Sequence, residues 1–402
     1  MSSSDTYYRK GFGLKSAVQG TLDADYSGAL VDLLRERDFS LTVRDVTIRL
    51  AREFGFCYGV ERAVEYAYQA RSKFPDRRIL LVGEIIHNPH VNAKLRSMEI
   101  TILRPENGAF DYSQVSSQDV VILPAFGVTI RDFETLREIG CVVVDTTCGS
   151  VLNVWKRVES YARDGFTALI HGKYYHEETR ATASQVTKFP GGQYLIVRDM
   201  AEAQLVCRFI EGQLDAGSLM SHLAKGAGPG FDPNIHLLKI GVANQTTMLA
   251  RESLAIAEEV GQAMARAHGE SHRAANFRSF DTICSATQDR QDAVEELLRE
   301  PLDAMLVIGG YNSSNTISLA AICAASVPTY HVEDATCIDP ARGTIRHWDS
   351  TRKEEVETSE WLSRPGSLRV GLTAGASTPN NKIGDAVARV LATRGIGRDD
   401  IA

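Results

Sequence analysis

Gly55-Phe56-Cys57-Tyr58-Gly59 follows the run Val46-Thr47-Ile48-Arg49-Leu50-Ala51 and opens an amphipathic stretch from Val60 to Lys73. Two further cysteines stand in the same setting. Asp145-Thr146-Thr147-Cys148-Gly149 follows an apolar run over 141–145 and opens a helical stretch from Val151 to Ala162. Asp281-Thr282-Ile283-Cys284-Ser285 opens another from Gln288 to Arg299. The unsatisfied N–H groups of a helix N-terminus favour an anion, and so favour a thiolate. Three such thiolates from distant points of the chain read as the ligand set of one metal centre. Three ligands leave a fourth position open for chemistry.

Working outward, the same order recurs after each cysteine. Apolar runs follow at 79–83, 100–103 and 120–124, then at 167–171, 194–198 and 238–243, then at 304–309, 329–332 and 368–372. In each set the first and third runs end in polar tips: 84–90 and 125–129, 172–179 and 244–247, 310–316 and 373–379. Strand–helix alternation predicts parallel sheets, and such sheets bind ligands at the carboxyl ends of their strands. The expected fold class is therefore α/β: three similar small parallel-sheet modules around a central metal site. The expected divisions are an extension over 1–45, a first module over 46–147, a second over 148–282 with a loop inserted at 211–237, and a third over 283–402. The third set lacks a last strand. The run at 46–51 supplies it if the modules close into a ring, and a linear array also fits. Residues 277–283 are the weakest of the strands leading to a cysteine, and 335–365 read as polar and irregular.

A chain of 402 residues exceeds one ordinary core. It has no run of about 18 apolar residues, so no membrane span is expected. Met1-Ser2-Ser3-Ser4-Asp5 lacks the basic and apolar regions of a signal peptide. A reducing cytoplasm is the expected location, and the seven cysteines are then thiols or metal ligands. The formal net charge of −7 lacks the basic excess of a nucleic-acid binder.

Cys141 lies inside an apolar strand, and Cys207 and Cys323 lie on apolar helical stretches; these read as core. Cys337, in Asp334-Ala335-Thr336-Cys337-Ile338, is the competing ligand, but it leads into Asp339-Pro340 and not into a helix. There is no Cys-x-x-Cys pair and no zinc-finger spacing, which disfavours structural zinc. Soft thiolates alone leave an iron–sulfur cluster or zinc. A 4Fe–4S cluster held by three cysteines keeps one iron open as a Lewis acid.

His176-Glu177-Glu178-Thr179 follows a strand end beside His171. Glu178 is the candidate general acid, although an acidic first helical turn is common in any helix. Glu84-Ile85-Ile86-His87-Asn88-Pro89-His90, Asn244-Gln245-Thr246-Thr247, Gly309-Gly310-Tyr311-Asn312-Ser313-Ser314-Asn315-Thr316 and Thr373-Ala374-Gly375-Ala376-Ser377-Thr378-Pro379 complete the polar tips. Singly each reads as a turn or cap. Several at equivalent strand ends read as an anion pocket built from N–H groups and hydroxyls. No glycine-rich nucleotide fingerprint is present.

These motifs, in order from Cys57 to Ser377, resemble the 4-hydroxy-3-methylbut-2-enyl diphosphate reductase family of the methylerythritol phosphate pathway. Tyr7-Tyr8-Arg9-Lys10-Gly11-Phe12-Gly13 is similar to the N-terminal extension of its cyanobacterial and plastid branch. The resemblance implies three α/β domains around one 4Fe–4S cluster ligated by Cys57, Cys148 and Cys284, with one open iron. It implies Glu178 as proton source, working with Thr246 and His176. It implies a diphosphate substrate held by His87, His176, Thr246, Ser313, Ser314, Asn315 and Ser377, and a carrier such as ferredoxin or flavodoxin as electron donor. Two positions depart from many members: Phe126 stands for a histidine, and Glu177 for a proline. No role is carried over to Phe126. The implied reaction is a two-electron reductive dehydroxylation to isopentenyl and dimethylallyl diphosphate. Sequence chemistry alone also fits a redox-neutral iron–sulfur hydratase or dehydratase on a small phosphorylated substrate, or a non-catalytic iron–sulfur or zinc protein. Consumption of electrons in turnover separates the first two.

Overall fold

The computed structural model describes residues 6–401 apart from 107 and 364. It is an α/β structure with three parallel sheets. In the first, Tyr7–Tyr8, Val142–Asp145, Val120–Leu123, Ile79–Val82 and Ile100–Leu103 lie side by side, all parallel. In the second the order is Phe277–Ser279, Ile240–Asn244, Thr167–His171 and Tyr194–Val197, again all parallel. In the third, Thr329–Val332, Ala304–Ile308, Leu368–Ala374 and Val46–Leu50 are parallel, and Ser40–Val43 adds an antiparallel edge. The central strands are buried on both faces, which is why Val120-Val121-Ile122-Leu123 and Ala304-Met305-Leu306-Val307-Ile308 read as unbroken apolar runs.

The three sheets share one order. A strand with no polar tip lies beside the first tip strand, then comes the second tip strand, then the strand that leads to a cysteine. In the third sheet that last place is filled by Val46–Leu50, paired with Leu368–Ala374 from the far end of the chain.

The chain divides into two compact units. One runs to Lys10 and takes in Phe74–Ile85 and Glu99–Cys284; the other takes in Gly11–Lys73, Ile86–Met98 and the chain from Ser285 onward. The first two sheets belong to the former and the third sheet to the latter. The helices Tyr58–Lys73 and Pro89–Ser97 thus group with the third sheet, although they flank a strand of the first.

Two segments differ from their expected form. Residues 335–365 are not irregular: Ile338–Asp339, Thr344–Asp349 and Glu354–Ser359 form an antiparallel meander. Residues 211–237 are not a plain surface loop. Asp215 caps a helix over Ala216–Leu223, and Leu219, Leu223 and Leu237 are buried in the core against Leu195 and Val197. Before the third sheet lie the helices Lys15–Tyr26 and Ala29–Glu36. Among the described residues no helix is long and apolar enough to cross a membrane.

Candidate functional site

The strand ends repeat in atomic detail. Gly83, Gly172 and Gly309 each follow directly on a first tip strand. Their N–H groups donate to the last carbonyl of the adjacent strand: Leu103 at 3.1 Å, Val197 at 2.9 Å and Val332 at 2.9 Å. The three cysteines repeat a second bond. The N–H of Cys57 donates to Ala376 O at 3.2 Å, that of Cys148 to Ala125 O at 2.9 Å, and that of Cys284 to Thr246 O at 3.3 Å. Each acceptor lies two residues past the end of its own strand. The helices Tyr58–Lys73, Gly149–Arg163 and Ser285–Leu297 begin at the residue after each cysteine.

These three cysteines are partly exposed, and Cys141, Cys207, Cys323 and Cys337 are buried. Burial pushes the Cys141 thiol up to about 11, and Cys207 and Cys323 up to about 12, which makes them inert. Cys337 packs against the Tyr311 hydroxyl at 3.7 Å. Accessible sulfur at a helix N-terminus is the setting that favours a thiolate ligand, so Cys57, Cys148 and Cys284 fit a thiolate-held group by donor chemistry and placement. Cys148 and Cys284 belong to one unit and Cys57 to the other.

In the first unit Glu178, His176 and Thr246 come together. Glu178 is 1% exposed. One carboxylate oxygen accepts the Thr246 N–H at 2.6 Å, and the other accepts the Thr246 hydroxyl at 3.0 Å. His176 caps the helix Glu177–Ser184 by accepting the Glu178 N–H on Nδ1 at 3.1 Å. A neutral ring in that role carries its proton on Nε2. Phe126 stands edge-on to this ring, 5.5 Å between centroids. Gln245 ties the two tips: its Oε1 accepts the Lys173 N–H at 3.1 Å and the Thr179 hydroxyl at 2.9 Å. Burial lowers the Lys173 amino group. His171 is a core histidine: it is fully buried, 2.8 Å from Ser253 Oγ, and drawn down to about 4 by burial.

In the second unit His87, Ser313, Ser314, Asn315 and Ser377 come together, all buried. Asn312 Nδ2 lies 3.2 Å from His87 Nδ1, and the Ser377 hydroxyl donates to His87 O at 3.1 Å. Ser313 caps the helix Ser314–Ala324. Asn315 Oδ1 accepts the Ala376 N–H at 2.9 Å, and its Nδ2 has no hydrogen-bond partner among the described residues. A helix N-terminus ringed by hydroxyls and amides suits phosphate oxygens. A Cβ at Gly309 would lie 2.6 Å from Thr316 Oγ1, so only glycine lets this helix start so near the strand end.

Asn312 and Gln245 sit inside tips that the sequence marks, yet their positioning contacts show only in three dimensions. Arg290 carried no signal at all. It is 3% exposed, and its guanidinium donates to Gly55 O at 2.7 Å and Ala286 O at 2.8 Å.

Comparison with known proteins follows the same lines. A family model described as LytB protein matches residues 48–391. A 4-hydroxy-3-methylbut-2-enyl diphosphate reductase of Gloeobacter violaceus is 45% identical over 399 residues, covering 98% of this chain and 94% of that protein. The reductase of that name from Thermosynechococcus vestitus is 44% identical over 398 residues, covering 98% and 97%. Among solved structures, an (E)-4-hydroxy-3-methyl-but-2-enyl diphosphate reductase, described as the terminal enzyme of the non-mevalonate pathway, aligns with a TM-score of 0.52 at 26% identity, over 87% of this chain and 99% of that one. The E-1-hydroxy-2-methyl-but-2-enyl-4-diphosphate reductase from Plasmodium falciparum shares the fold, with a TM-score of 0.62 at 20% identity over 86% and 87%.

Proposed function

The chain belongs to the LytB protein family, and from that premise we propose that it is an oxidoreductase, a 4-hydroxy-3-methylbut-2-enyl diphosphate reductase that yields isopentenyl and dimethylallyl diphosphate. One observation carries the reading into this chain's own atoms. The buried Glu178 carboxylate rests on the N–H and hydroxyl of Thr246, and the carbonyl of that same threonine receives the N–H of Cys284. A proton source and a metal-ligand candidate are thus fixed to one residue.

On this reading Cys57, Cys148 and Cys284 hold a 4Fe–4S cluster. When bound, it supplies single electrons and one open iron that acts as a Lewis acid toward the substrate hydroxyl. The protein does the rest. Ser313, Ser314, Asn315 and Ser377, with His87, bind the diphosphate through hydroxyls, amides and the N-terminus of the helix Ser314–Ala324. His176 and Thr246 belong to the other set of tips and orient the allylic end. Glu178 gives up a proton through the Thr246 hydroxyl as the carbon–oxygen bond breaks, and the hydroxyl leaves as water. Two electrons and two protons enter; one hydrocarbon diphosphate and one water leave. Burial of the acid keeps bulk water from competing for its proton. The electrons come from a one-electron carrier such as ferredoxin or flavodoxin.

The test is anaerobic. Reduced viologen dye is mixed with the holoprotein and 4-hydroxy-3-methylbut-2-enyl diphosphate, and dye oxidation is followed. Substrate-dependent oxidation that vanishes in Cys148→Ser and survives in Cys337→Ala supports the reductase and its ligand set. No oxidation by protein with full iron and sulfide content refutes the reductase.

A further inference from the structure

Of the three cysteine loops, that of Cys57 has the longest lead. Six residues separate it from Leu50, against two between Asp145 and Cys148 and four between Ser279 and Cys284. The two shorter loops brace themselves. The Thr147 N–H donates to Asp145 Oδ1, and Thr282 Oγ1 accepts the Asn244 N–H at 2.7 Å. The Cys57 loop has main-chain bonds to Leu372, Ala374 and Ala376, Asp38 pairs with its exposed Arg52, and the Arg290 side chain bonds its main chain. Arg290 Nη2 donates to Gly55 O at 2.7 Å and reaches Phe54 O at 3.4 Å; Nη1 donates to Ala286 O at 2.8 Å. Ala286 lies in the first turn of the helix that follows Cys284.

The guanidinium is buried, and its Nε has no partner among the described residues. No carboxylate is paired with it there either. An unpaired buried cation is costly unless an anion joins it. Three carbonyls satisfy hydrogen bonds but leave the charge unbalanced. A thiolate-ligated cluster is an anion, and the loop clamped by this cation presents one of the thiolates.

We propose that Arg290 is a positioning residue for Cys57: it fixes the loop that presents the thiolate, and it supplies the positive charge that balances the ligated cluster. This rests on the cluster reading above. Groups behind the ligands of a metal site set both its retention and its potential.

The test uses anaerobically purified holoprotein, with iron release to a chelator and an EPR-monitored redox titration as readouts. Arg290→Met is expected to release iron about 10–100-fold faster than wild type, and to show a more negative midpoint potential, because a cation nearby favours the reduced cluster. Arg290→Lys keeps the charge without the fork, so it restores the potential but not the release rate. A wild-type potential in Arg290→Met overturns the proposal, even if that variant melts earlier. Should Arg290→Met not fold, Gly55→Ala strains the same loop with Arg290 in place, since Gly55 has φ +67° and a Cβ there meets Thr378 O at 3.1 Å. Faster iron release from Gly55→Ala supports the loop's role, and a wild-type rate overturns it. Wild-type protein without iron and sulfide sinks the cluster reading itself, which is a separate result.

Discussion

Glu178→Gln is the sharpest probe of the proton assignment. The exchange keeps shape and volume. Glutamine retains an oxygen for the Thr246 N–H, which Glu178 now accepts at 2.6 Å, and the Thr246 hydroxyl need only turn to accept from the new amide. The helix cap is untouched, because it uses the residue's backbone N–H on His176. Fold and metal content should therefore hold while the transferable proton is lost. General acid catalysis is worth about 10²–10⁴-fold, or roughly 3–5 kcal/mol of barrier. The expectation is a fall of that size in kcat with little change in KM, read by anaerobic dye oxidation at matched iron content. Thr246→Val removes the hydroxyl that contacts the Glu178 carboxyl, so if the proton passes through it kcat should fall as far, by about 10²–10⁴-fold. If Thr246 acts by passing the proton, the double variant loses no more than Glu178→Gln alone, since the two side chains serve one step. Wild-type turnover in Glu178→Gln refutes the assignment, and losses that multiply in the double variant refute the relay.

Two further predictions concern stability. His331 and His171 are held down from 6.5 to about 4 by burial. Their folded pKa lies below the unfolded one, so the unfolded chain takes up protons first as pH falls. The stability they contribute is full above about pH 6.5 and is lost toward pH 4, at about 3 kcal/mol each. A urea midpoint that stays level from pH 6.5 to 4.5 contradicts this, and His331→Gln should flatten the slope. At Gly375 an added methyl would overlap Thr316 Oγ1, so Gly375→Ala should push back the helix Ser314–Ala324 and cost about 1–3 kcal/mol, with a raised KM. A wild-type melting curve and KM for that variant would show that this helix start tolerates displacement.

What the sequence displayed and what it hid divide along physical lines. Fully buried parallel strands are apolar on both faces, so Ile79–Val82 and Thr167–His171 stand out, and the α/β class with them. Thiols at helix starts stand out for the same local reason. The meander was hidden because Glu354–Ser359 is largely exposed and charged, and its partner Thr344–Asp349 buries only Thr344 and Ile345. The helix Ala216–Leu223 was hidden by the glycines around it; its signal was the Asp215 cap with Leu219 and Leu223 at i, i+4. Tyr7–Tyr8 is too short for any period and is made a strand by Val143 and Val144 beside it. Arg290 meets Gly55 across 235 positions, and no local pattern encodes that.

The repeat also shows where similar modules part in function. The cysteine N–H bond occurs three times, and its acceptors are Ala125, Thr246 and Ala376. A backbone carbonyl does the same work in all three, so nothing in holding the cysteines requires a threonine. Only at Thr246 does the acceptor residue also carry a hydroxyl, and that hydroxyl lies on Glu178. At the equivalent place in the third sheet, Ala376 instead gives its N–H to Asn315, beside the serines of the anion-binding tip. In the first sheet Ala125 is followed by Phe126, whose ring packs on His176. On the proposed reading, then, the three thiolate ligands are held alike, each by a main-chain bond to one of the three sheets. Acid, anion site and apolar wall are assigned one to each by the side chains at and beside a single equivalent position. Thr246→Ala, which makes the second acceptor like the other two, should therefore leave iron content intact while it removes the proton path and the hydroxyl that orients the substrate.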